Sequence, residues 1–413
     1  MRFGSVFAQI GGVEGGVVEG VSVEDGVVVL HARRRARRRS RCGVCGRRSP
    51  GYDQGAGRRR WRALDVGATQ CFIEADAVRV RCSEHGVRSA QVGWARHDAS
   101  HTRAFDDTVA WLATQASKTA ICALMRTGWR TVGAIITRVV ADAEAASPDR
   151  LDGLRRIGID EISYRVGQRY LTVVVDHDTG RLVWASEGRD KKTVKRFFDL
   201  LGEERTAKIE AVTSDLAAWI TRQVAESCPN AVRCTDPFHV VALATDALDV
   251  VRRELWNDLR RGGDKQGAKF LKGARFCVWK NPENLTDRQQ TKLAQLQQTN
   301  KRLYRAYLLK EALRAVFHAD TPNNAIGLLD GWLAWARRCR IASFTKLSKT
   351  ITQHRTSIEA TLRLGLTNAR IEAVNTTLRL LVRRAYGFHS AAAMIALAML
   401  VCGGLRPALP GRA

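Results

Sequence analysis

The sequence has no apolar run long enough to cross a membrane. The longest near candidate, Ala391 to Val401, falls short of the roughly 18 apolar residues that a spanning helix needs. The stretch from Met1 to Gly20 also lacks the pattern of a signal peptide, because it is rich in Gly and Val and contains Glu14 and Glu19. We therefore expect a cytosolic protein without membrane spans.

Acidic residues are few in proportion to basic ones. Lys and Arg number 67 against 41 Asp and Glu, which gives a net charge of +26. Such an excess attracts phosphate backbones and releases their counterions, so nucleic acid is the first partner to consider. A generic basic surface or binding to an acidic membrane is the alternative. The 413 residues, 45% of them hydrophobic, indicate a folded chain of two or three domains.

The ten cysteines do not resemble the disulfide framework of a small secreted protein. Cys42-x-x-Cys45 and Cys82-x-x-His85 have the ligand types of a tetrahedral zinc site, and free buried thiols are the alternative. The 36 residues between the pairs exceed the usual spacing of roughly 15 to 20, which a strand-rich insert from Trp61 to Val80 would explain. The unpaired cysteines are expected in the core: Cys71, Cys122, Cys228, Cys234, Cys277, Cys339 and Cys402.

An arginine run follows a predicted hairpin near the start of the sequence. The strands are Val17 to Val23 and Val27 to Ala32, joined at Asp25-Gly26. Beside a metal site, the run could be a phosphate clamp; a solvated charge block is equally consistent with it. The candidate DNA contacts in the run are Arg33, Arg34, Arg35, Arg37, Arg38, Arg39 and Arg41.

Helical spacing of apolar residues extends from Phe105 to Ala146, with a break at Thr127-Gly128. Two helices joined by a short turn with glycine are typical of a helix-turn-helix, whose second helix, here Trp129 to Val140, enters the major groove. Arg130 and Arg138 on that helix are candidate DNA contacts. A plain helical hairpin is the alternative interpretation.

Beyond Ser147-Pro148 the pattern changes to strands. Three hairpin strands followed by alternating helix and strand indicate a mixed α/β sheet. The predicted strands are Arg156 to Ile162, Tyr170 to Asp176, Leu182 to Ser186, Ile209 to Ser214 and Ala231 to Cys234, with one helix capped by Asp190 and ending near Leu201 and another ending near Pro229.

After His239 the sequence predicts helices almost exclusively. A long helix capped by Thr286 or Asp287 would have an apolar stripe that includes Leu293, Leu296, Leu303 and Tyr307. The last strong helix is predicted from about Asn368 to Ala385. We find no internal repeat and no long low-complexity linker.

Three carboxylates stand out by position. Strand alternation places Asp160 on the face opposite its apolar neighbour, and Asp215 ends the fourth strand, at the edge where α/β sheets place functional groups. Glu372 lies on a polar helix face, where Arg379 and Arg383 could hold a DNA strand while the carboxylate binds metal. The alternatives are turn or cap residues for the aspartates and a helical salt-bridge ladder for the glutamate.

Five segments stand out in order along the sequence: Gly158-Ile159-Asp160-Glu161, Thr213-Ser214-Asp215, Asp236-Pro237-Phe238-His239, Thr367-Asn368-Ala369-Arg370-Ile371-Glu372-Ala373-Val374-Asn375 and Arg383-Arg384-Ala385-Tyr386-Gly387. They resemble the ISL-three family of insertion-sequence transposases, and the match to that family covers nearly the whole chain in order. The resemblance implies a ribonuclease-H-like catalytic domain with an Asp, Asp, Glu triad, which falls here on Asp160, Asp215 and Glu372. A zinc-finger-like region and a helix-turn-helix would precede it.

This resemblance also implies a domain plan. Residues 1–100 would form the zinc module, 101–150 the helix-turn-helix and 151–405 the catalytic domain. In a ribonuclease-H-like sheet the first and fourth strands are neighbours, so Asp160 and Asp215 would meet. The helical stretch from about Leu243 to Thr361 would then be an insertion before the Glu372 helix.

Three carboxylates suit a DNA transposase, because two Mg²⁺ or Mn²⁺ ions roughly 3.5 to 4 Å apart can assist both the attacking and the leaving oxygen. Water as nucleophile would cleave a strand, and a freed 3′-hydroxyl would join strands. The expected partners are the terminal inverted repeats, target DNA and a second copy of the chain, with which it would form a dimer. Asp236 and His239 resemble a further transposase motif. Asp236 is the alternative second carboxylate and His239 could orient water or phosphate, unless both form a buried structural pair.

Two other functions compete with an active transposase. A domesticated transposase could act as a non-catalytic DNA-binding regulator, but the triad is intact. A ribonuclease-H-like repair nuclease would share the triad, but it would not explain the two amino-terminal binding modules.

Overall fold

The computed structural model describes residues 3–35, 41–215 and 217–412. The chain divides into two compact units. The first comprises Met1–Asp149 and Leu381–Ala413, and the second comprises Arg150–Leu380. This division does not test the three domain boundaries expected from the sequence, which stay a prediction.

The first unit begins with a helix and two small sheets. The predicted hairpin at its start is confirmed: Asp25 and Gly26 have φ angles of 48° and 77°, which match the twist of a two-residue hairpin turn. The sheets have the strand orders β1-β2-β5-β4 and β3-β6-β7. The elements are α1 (Phe3–Ile10), β1 (Gly16–Glu24), β2 (Val27–Arg34), β3 (Gly51–Asp53), β4 (Arg58–Arg62), β5 (Cys71–Asp76), β6 (Arg79–Cys82) and β7 (Gly86–Ser89).

The four-stranded sheet has its own apolar core. Leu30 and Ile73 are fully buried there, and the rings of Trp61 and Trp94 meet edge to face with centroids 5.7 Å apart. Cys71 lies in the same core, as expected, and burial raises the pKa of its thiol to about 11. The strand-rich insert predicted between the two metal-ligand pairs thus supplies much of this core.

Three helices follow, where the sequence predicted two. They are α2 (Arg103–Gln115), α3 (Lys118–Met125) and α4 (Trp129–Ala146). The additional helix begins because the Ser117 hydroxyl accepts a hydrogen bond from the backbone N–H of Ala120, which caps α3. The predicted break before Trp129 is confirmed, with Arg126 in the left-handed conformation at φ 48°.

The second unit is built on a five-stranded mixed sheet. β8 pairs antiparallel with β9, and β9 with β10, whereas β11 runs parallel to both β8 and β12. The order β10-β9-β8-β11-β12 is the ribonuclease-H-like arrangement that the resemblance implies, with the first and fourth strands adjacent. The elements are β8 (Arg156–Arg165), β9 (Arg169–Asp176), β10 (Leu182–Glu187), α5 (Lys191–Leu201), α6 (Glu203–Thr206), β11 (Ala211–Ser214), α7 (Ala218–Ser227) and β12 (Val232–Thr235).

Eight helices with their own apolar core follow the sheet, as the predicted insertion requires. The expectation of one long helix after Thr286 was wrong. The helix is interrupted at Asn300. The side-chain oxygen of Asn300 accepts a hydrogen bond from the backbone N–H of Leu303 and so caps a new helix. The helices are α8 (Pro237–Arg261), α9 (Lys265–Gly273), α10 (Arg275–Trp279), α11 (Asp287–Thr299), α12 (Lys301–Val316), α13 (Pro322–Arg338), α14 (Ala342–Gln353) and α15 (Arg355–Leu364).

The last two helices are α16 (Ala369–Arg384) and α17 (Ala391–Cys402). The apolar α17 packs on α2 and α4 of the first unit and buries Met394, Leu397 and Leu400. Its apolar sequence is thus explained by packing. Within residues 3–35, 41–215 and 217–412, no helix is both long and apolar enough to cross a membrane.

Candidate active site

Asp160 and Asp215 meet at one edge of the five-stranded sheet. β8 and β11 are parallel, and Ser214 lies opposite Ile159 in their pairing. Ile159 is fully buried, and each aspartate directly follows one member of this pair. Among the described residues, carboxylate oxygens of Asp160, Glu161 and Asp215 lie within 4.8 Å of one another. The adjacency of the first and fourth strands therefore brings the two aspartates together.

Glu161 belongs to this cluster, although it was not among the site residues predicted from sequence. Strand alternation places consecutive side chains on opposite faces, so the strand pattern alone does not predict that Asp160 and Glu161 lie together. The Glu161 side chain is 7% exposed, and Arg189 Nε lies 3.4 Å from its Oε1. The only signal in the sequence was the Asp-Glu pair itself.

The three carboxyl groups are held in an environment that disfavours their charged forms. Burial is the main cause that raises the pKa of Asp160, Glu161 and Asp215. For Asp215 the negative charge of Asp160 adds to burial, and its pKa rises to about 6. Several desolvated carboxylates at one point favour a bound cation, and oxygen donors select a hard divalent ion. The donor set therefore fits the metal chemistry expected from the sequence.

His239 lies between Asp215 and Asp236. Its Nε2 is 3.0 Å from Oδ1 of Asp215, an ion-pair distance without the alignment of a hydrogen bond. Its Nδ1 is 3.3 Å from Oδ2 of Asp236. Asp236 is buried, and its other oxygen accepts from the backbone N–H of Asn368 at 3.3 Å. Asp236 is thus placed to orient His239, and it lies outside the carboxylate cluster.

Glu372 lies outside the carboxylate cluster. It is exposed in the first turn of α16. That helix packs on β8, since a Cβ atom at Gly158 would overlap the side chain of Ile371. One turn beyond Glu372, Asn375 donates from Nδ2 to Oδ2 of Asp160 at 2.5 Å. The helix is therefore docked beside Asp160, while the position of Glu372 in the triad stays a prediction.

The sequence-predicted zinc ligands converge in the first unit. Among the described residues, ligand atoms of Cys42, Cys45, Cys82 and His85 lie within 4.8 Å of one another. Cys45 Sγ and Cys82 Sγ are 3.8 Å apart, and Cys82 Sγ is 3.7 Å from His85 Nδ1. The hydrogen bond with His85 lowers the pKa of Cys82 to about 6, which favours the thiolate.

These distances fit a tetrahedral zinc ion. With Zn–S bonds of about 2.3 Å, a tetrahedron places two sulfur atoms about 3.8 Å apart, which is the separation observed. Two thiolates on one pair and a thiolate with an imidazole on the other are borderline-soft donors that zinc prefers. The site therefore accounts for the two short motifs despite their long separation in sequence.

The two arginines predicted to contact DNA from α4 lie in different environments. Arg130 is exposed in the first turn, beside Trp129, which is 40% exposed. Arg138 instead donates from Nε and Nη2 to the two oxygens of Asp106, both at 3.0 Å. Asp106 is fully buried on α2. Arg138 thus ties α4 to α2 through its guanidinium, whereas Arg130 is accessible to a ligand.

The arginine run is only partly within the described residues. Arg35 and Arg41 are exposed, and Arg41 donates to the carbonyl of Gly46 at 2.8 Å. Arg33 forms an ion pair of 2.6 Å with Glu19, and Arg34 is buried. The predicted contacts Arg37, Arg38 and Arg39 lie outside the described residues.

Arg379 and Arg383, the remaining predicted DNA contacts, are exposed on α16. Their side chains are therefore accessible. A role in holding DNA stays a prediction for both.

Three family models match the chain in the order expected from the sequence. A model described as zinc-finger of transposase IS204/IS1001/IS1096/IS1165 matches residues 38–85. A helix-turn-helix domain of transposase family ISL3 matches residues 90–140. The ISL3 model of the DDE transposase domain, described as Transposase, matches residues 157–398, which is more than half of the chain.

Whole-chain relatives lead to the same family. The transposase for insertion sequence element IS1557 of Mycobacterium tuberculosis is 54% identical over 404 residues, which cover 93% of this chain and 90% of the relative. The transposase for insertion sequence element IS1001 of Bordetella parapertussis is 26% identical over 80% of this chain and 81% of its own length. The chain therefore belongs to the ISL3 family of transposases, with a DDE catalytic domain preceded by a zinc ribbon and a helix-turn-helix.

Proposed function

We propose that this transposase binds the ends of its own insertion sequence and catalyses strand cleavage and strand transfer with two divalent cations. The observation that carries the proposal is the meeting of Asp160 and Asp215 at one edge of the sheet, with oxygens within 4.8 Å. The raised pKa values of both carboxyl groups, caused first by burial, support cation binding at this point.

The ligands of the cations would be Asp160, Asp215 and Glu372. Support for Glu372 comes from its helix, which is docked on β8 next to Asp160 and presents the glutamate in its first turn. A specific observation favours Glu161 as a competitor, because its carboxylate already lies in the cluster. The two glutamates can be separated by experiment.

Bound Mg²⁺ or Mn²⁺ would supply Lewis acidity and orient the reacting oxygens. Water attack on the scissile phosphodiester breaks the bond to the 3′-oxygen and frees a 3′-hydroxyl. Attack by that hydroxyl on a target phosphodiester then joins the strands, with loss of the target 3′-oxygen as leaving group. Asp160 and Asp215 would remain ligands in both steps, and because the nucleophile would come from water or from DNA, no covalent bond to the protein would form. His239 holds Asp215 in place.

DNA recognition is assigned to the amino-terminal modules. The accessible Arg130 at the start of α4 is positioned as a recognition-helix contact, and the run from Arg33 to Arg41 would clamp phosphates. Arg138 is better explained as a structural residue, since Asp106 already engages its guanidinium. Arg379 and Arg383, both exposed on α16, would hold a DNA strand. One structural zinc bound by Cys42, Cys45, Cys82 and His85 would stabilise the first module.

The substrate would be the terminal repeats of an element related to those of the curated relatives, together with target DNA. An element has two ends, so a dimer is the smallest assembly that can hold both at once. We place this assembly in the bacterial cytoplasm, at the nucleoid.

The test is incubation of purified protein and DNA carrying the flanking terminal repeats with Mg²⁺ or Mn²⁺. We expect cleavage at the element ends, abolished by Asp160→Asn and by Asp215→Asn. Glu372→Gln should also abolish cleavage, while Glu161→Gln should reduce it only partly. The reverse ranking would assign the third ligand to Glu161. If the wild-type protein binds these ends specifically but does not cleave them, the alternative function, a non-catalytic DNA-binding regulator, would be favoured instead.

A further inference from the structure

The carboxylate of Asp160 is held at both of its oxygens. Oδ1 accepts a hydrogen bond of 2.7 Å from the backbone N–H of Glu161. Oδ2 accepts one of 2.5 Å from the side-chain amide of Asn375, which lies on α16. Since each carboxylate oxygen has two lone pairs, both oxygens keep acceptor capacity for a cation.

We propose that Asn375 is a positioning residue for Asp160, which fixes the orientation of that carboxylate for divalent-cation binding. The inference rests on the proposed function and extends it to a residue outside the triad. Asn375 reaches the cation only through Asp160, so it is not itself a catalytic residue.

The burial of Asn375 argues against a role in packing alone. The residue is 1% exposed, and its Oδ1 is buried without a hydrogen-bond partner among the residues that the structure describes. An apolar side chain of similar volume would pack there without burying an unpaired oxygen. The amide is therefore best explained by the hydrogen bond from its N–H₂ group to Asp160.

A neutral donor suits this position better than a cationic one. Lys or Arg at residue 375 would neutralise Asp160 and compete with a metal ion for its oxygens. The amide of Asn375 orients the carboxylate and leaves its negative charge available. Hydrogen bonds of this kind to metal-binding side chains set their orientation and tune metal affinity.

Other contacts dock α16 independently of Asn375. Ile371 packs over Gly158 of β8, and the backbone N–H of Asn368 donates to Oδ1 of Asp236 at 3.3 Å. A substitution at residue 375 should therefore leave the helix seated on the sheet. The role of Asn375 can then be tested in folded protein.

The test compares Asn375→Leu with the wild type and with Thr376→Ala, an exposed neighbour on the same helix. Mn²⁺ binding to the full-length, DNA-free protein is measured by electron paramagnetic resonance. We expect Asn375→Leu to bind Mn²⁺ about 10- to 100-fold more weakly, and Thr376→Ala to bind it like the wild type. Equal affinity of Asn375→Leu and wild type for Mn²⁺ would overturn the inference.

A second readout separates positioning from loss of fold. Cleavage by Asn375→Leu should recover when Mn²⁺ is raised to saturation, whereas Asp160→Asn should stay inactive. If Asn375→Leu does not fold by circular dichroism, Asn375→Ala and Asn375→Gln replace it, and the amide of the glutamine variant should restore part of the affinity. Failure of saturating Mn²⁺ to raise cleavage by a folded variant would contradict the proposal. If the wild type binds no Mn²⁺ through Asp160 and Asp215, the proposed function itself fails.

Discussion

Nε2 of His239 lies 3.0 Å from Oδ1 of Asp215, while Nδ1 of the same ring faces Oδ2 of Asp236 at 3.3 Å. The His239 ring thus contacts the buried Asp236 through Nδ1 and the active-site Asp215 through Nε2. Neither Asp236 nor His239 lies in the carboxylate cluster. Their arrangement favours a supporting role for the motif that contains them.

We predict that His239→Ala lowers cleavage about 10- to 100-fold, the usual cost of removing a partner that orients a metal ligand. Asp236→Asn should have a smaller effect, because its one amide oxygen can still accept from the ring, although its NH₂ group would then face the N–H of Asn368. Single-turnover cleavage of end-containing DNA measures both. A complete loss of cleavage in His239→Ala, equal to that of Asp215→Asn, would show that His239 has a direct part in the reaction.

Binding and chemistry should separate by domain. Asp160→Asn should slow cleavage at least about 1000-fold, a loss of about 4 kcal/mol in transition-state stabilisation, while end binding stays near the wild-type level. Gel shifts and cleavage assays on the same preparations provide the comparison. Cleavage at the wild-type rate would refute the assignment of Asp160.

The stability of the protein without divalent ions at its active site should depend on pH through Asp215. Its pKa in the folded state is raised to about 6 from an ordinary 3.8, so the folded state binds this proton more tightly than the unfolded state. Stability is therefore lost as pH rises from about 4 through about 6. Asp215→Asn should remove this penalty and stabilise the protein by up to about 3 kcal/mol at pH 8, with little effect at pH 4.

Urea unfolding in magnesium-free buffer at both pH values checks this expectation. Chelators are omitted because they would also remove zinc. Asp199→Asn, which changes an exposed carboxylate of the same unit, is the matched control. An equal effect of Asp215→Asn at pH 4 and pH 8 would contradict the electrostatic explanation.

Purified full-length protein should contain one zinc ion per chain, which Cys82→Ser should lose. Because structural zinc contributes directly to folding, its loss should unfold the strands around residues 41–90 and leave the five-stranded sheet intact. Elemental analysis and hydrogen exchange measure the two effects. Wild-type protein that is free of zinc under reducing conditions, yet protected in this region, would exclude the site.

Arg130 and Arg138 should respond in opposite ways to replacement by alanine. Loss of Arg130 should weaken DNA binding without loss of stability. If Arg130 contacts a phosphate, the slope of the logarithm of the binding constant against the logarithm of the salt concentration should also fall in magnitude by about 1. Loss of Arg138 should destabilise the protein by about 1.5 to 3 kcal/mol, because the buried Asp106 would lose two hydrogen bonds and keep the ion pair of 3.5 Å with Arg96. Salt-dependent gel shifts and thermal unfolding of both variants decide the matter. Arg138→Ala with normal stability and weak DNA binding would restore its role as a DNA contact.

The sheet could be predicted from sequence because its signals are local. Alternating apolar residues mark β8 and a continuous, mostly apolar run marks β9. The side chain of Asp190 accepts from the N–H of Thr193, so the predicted cap begins α5 where expected. The meeting of Asp160 and Asp215 also followed, because the resemblance supplied the strand order. Local sequence signals, together with the strand order of one known fold, were therefore sufficient to predict where Asp160 and Asp215 lie.

Residues whose role depends on long-range contacts could not be predicted in this way. Asn375 is one of several polar residues on its helix, and only the docking of α16 on β8 makes it a partner of Asp160. Arg138 was expected to face DNA, because nothing near it in sequence indicates a buried Asp106 on another helix. The helix break at Asn300 was not predicted for a different reason. The apolar stripe continues from one helix into the next, so the spacing of apolar residues does not reveal where the first helix ends.

The contact between Gly158 and Ile371 leaves no room for a methyl group at residue 158. A Cβ atom there would overlap Cδ1 of Ile371 and lie 2.9 Å from Nε2 of His177, so these side chains would have to move. Any part of this adjustment that displaces α16 would lengthen the hydrogen bond between Asn375 and Asp160, which is two residues further along the same strand as Gly158. We therefore expect Gly158→Ala, which replaces no predicted metal or DNA ligand, to give a transposase that recognises the ends of its element but moves it slowly.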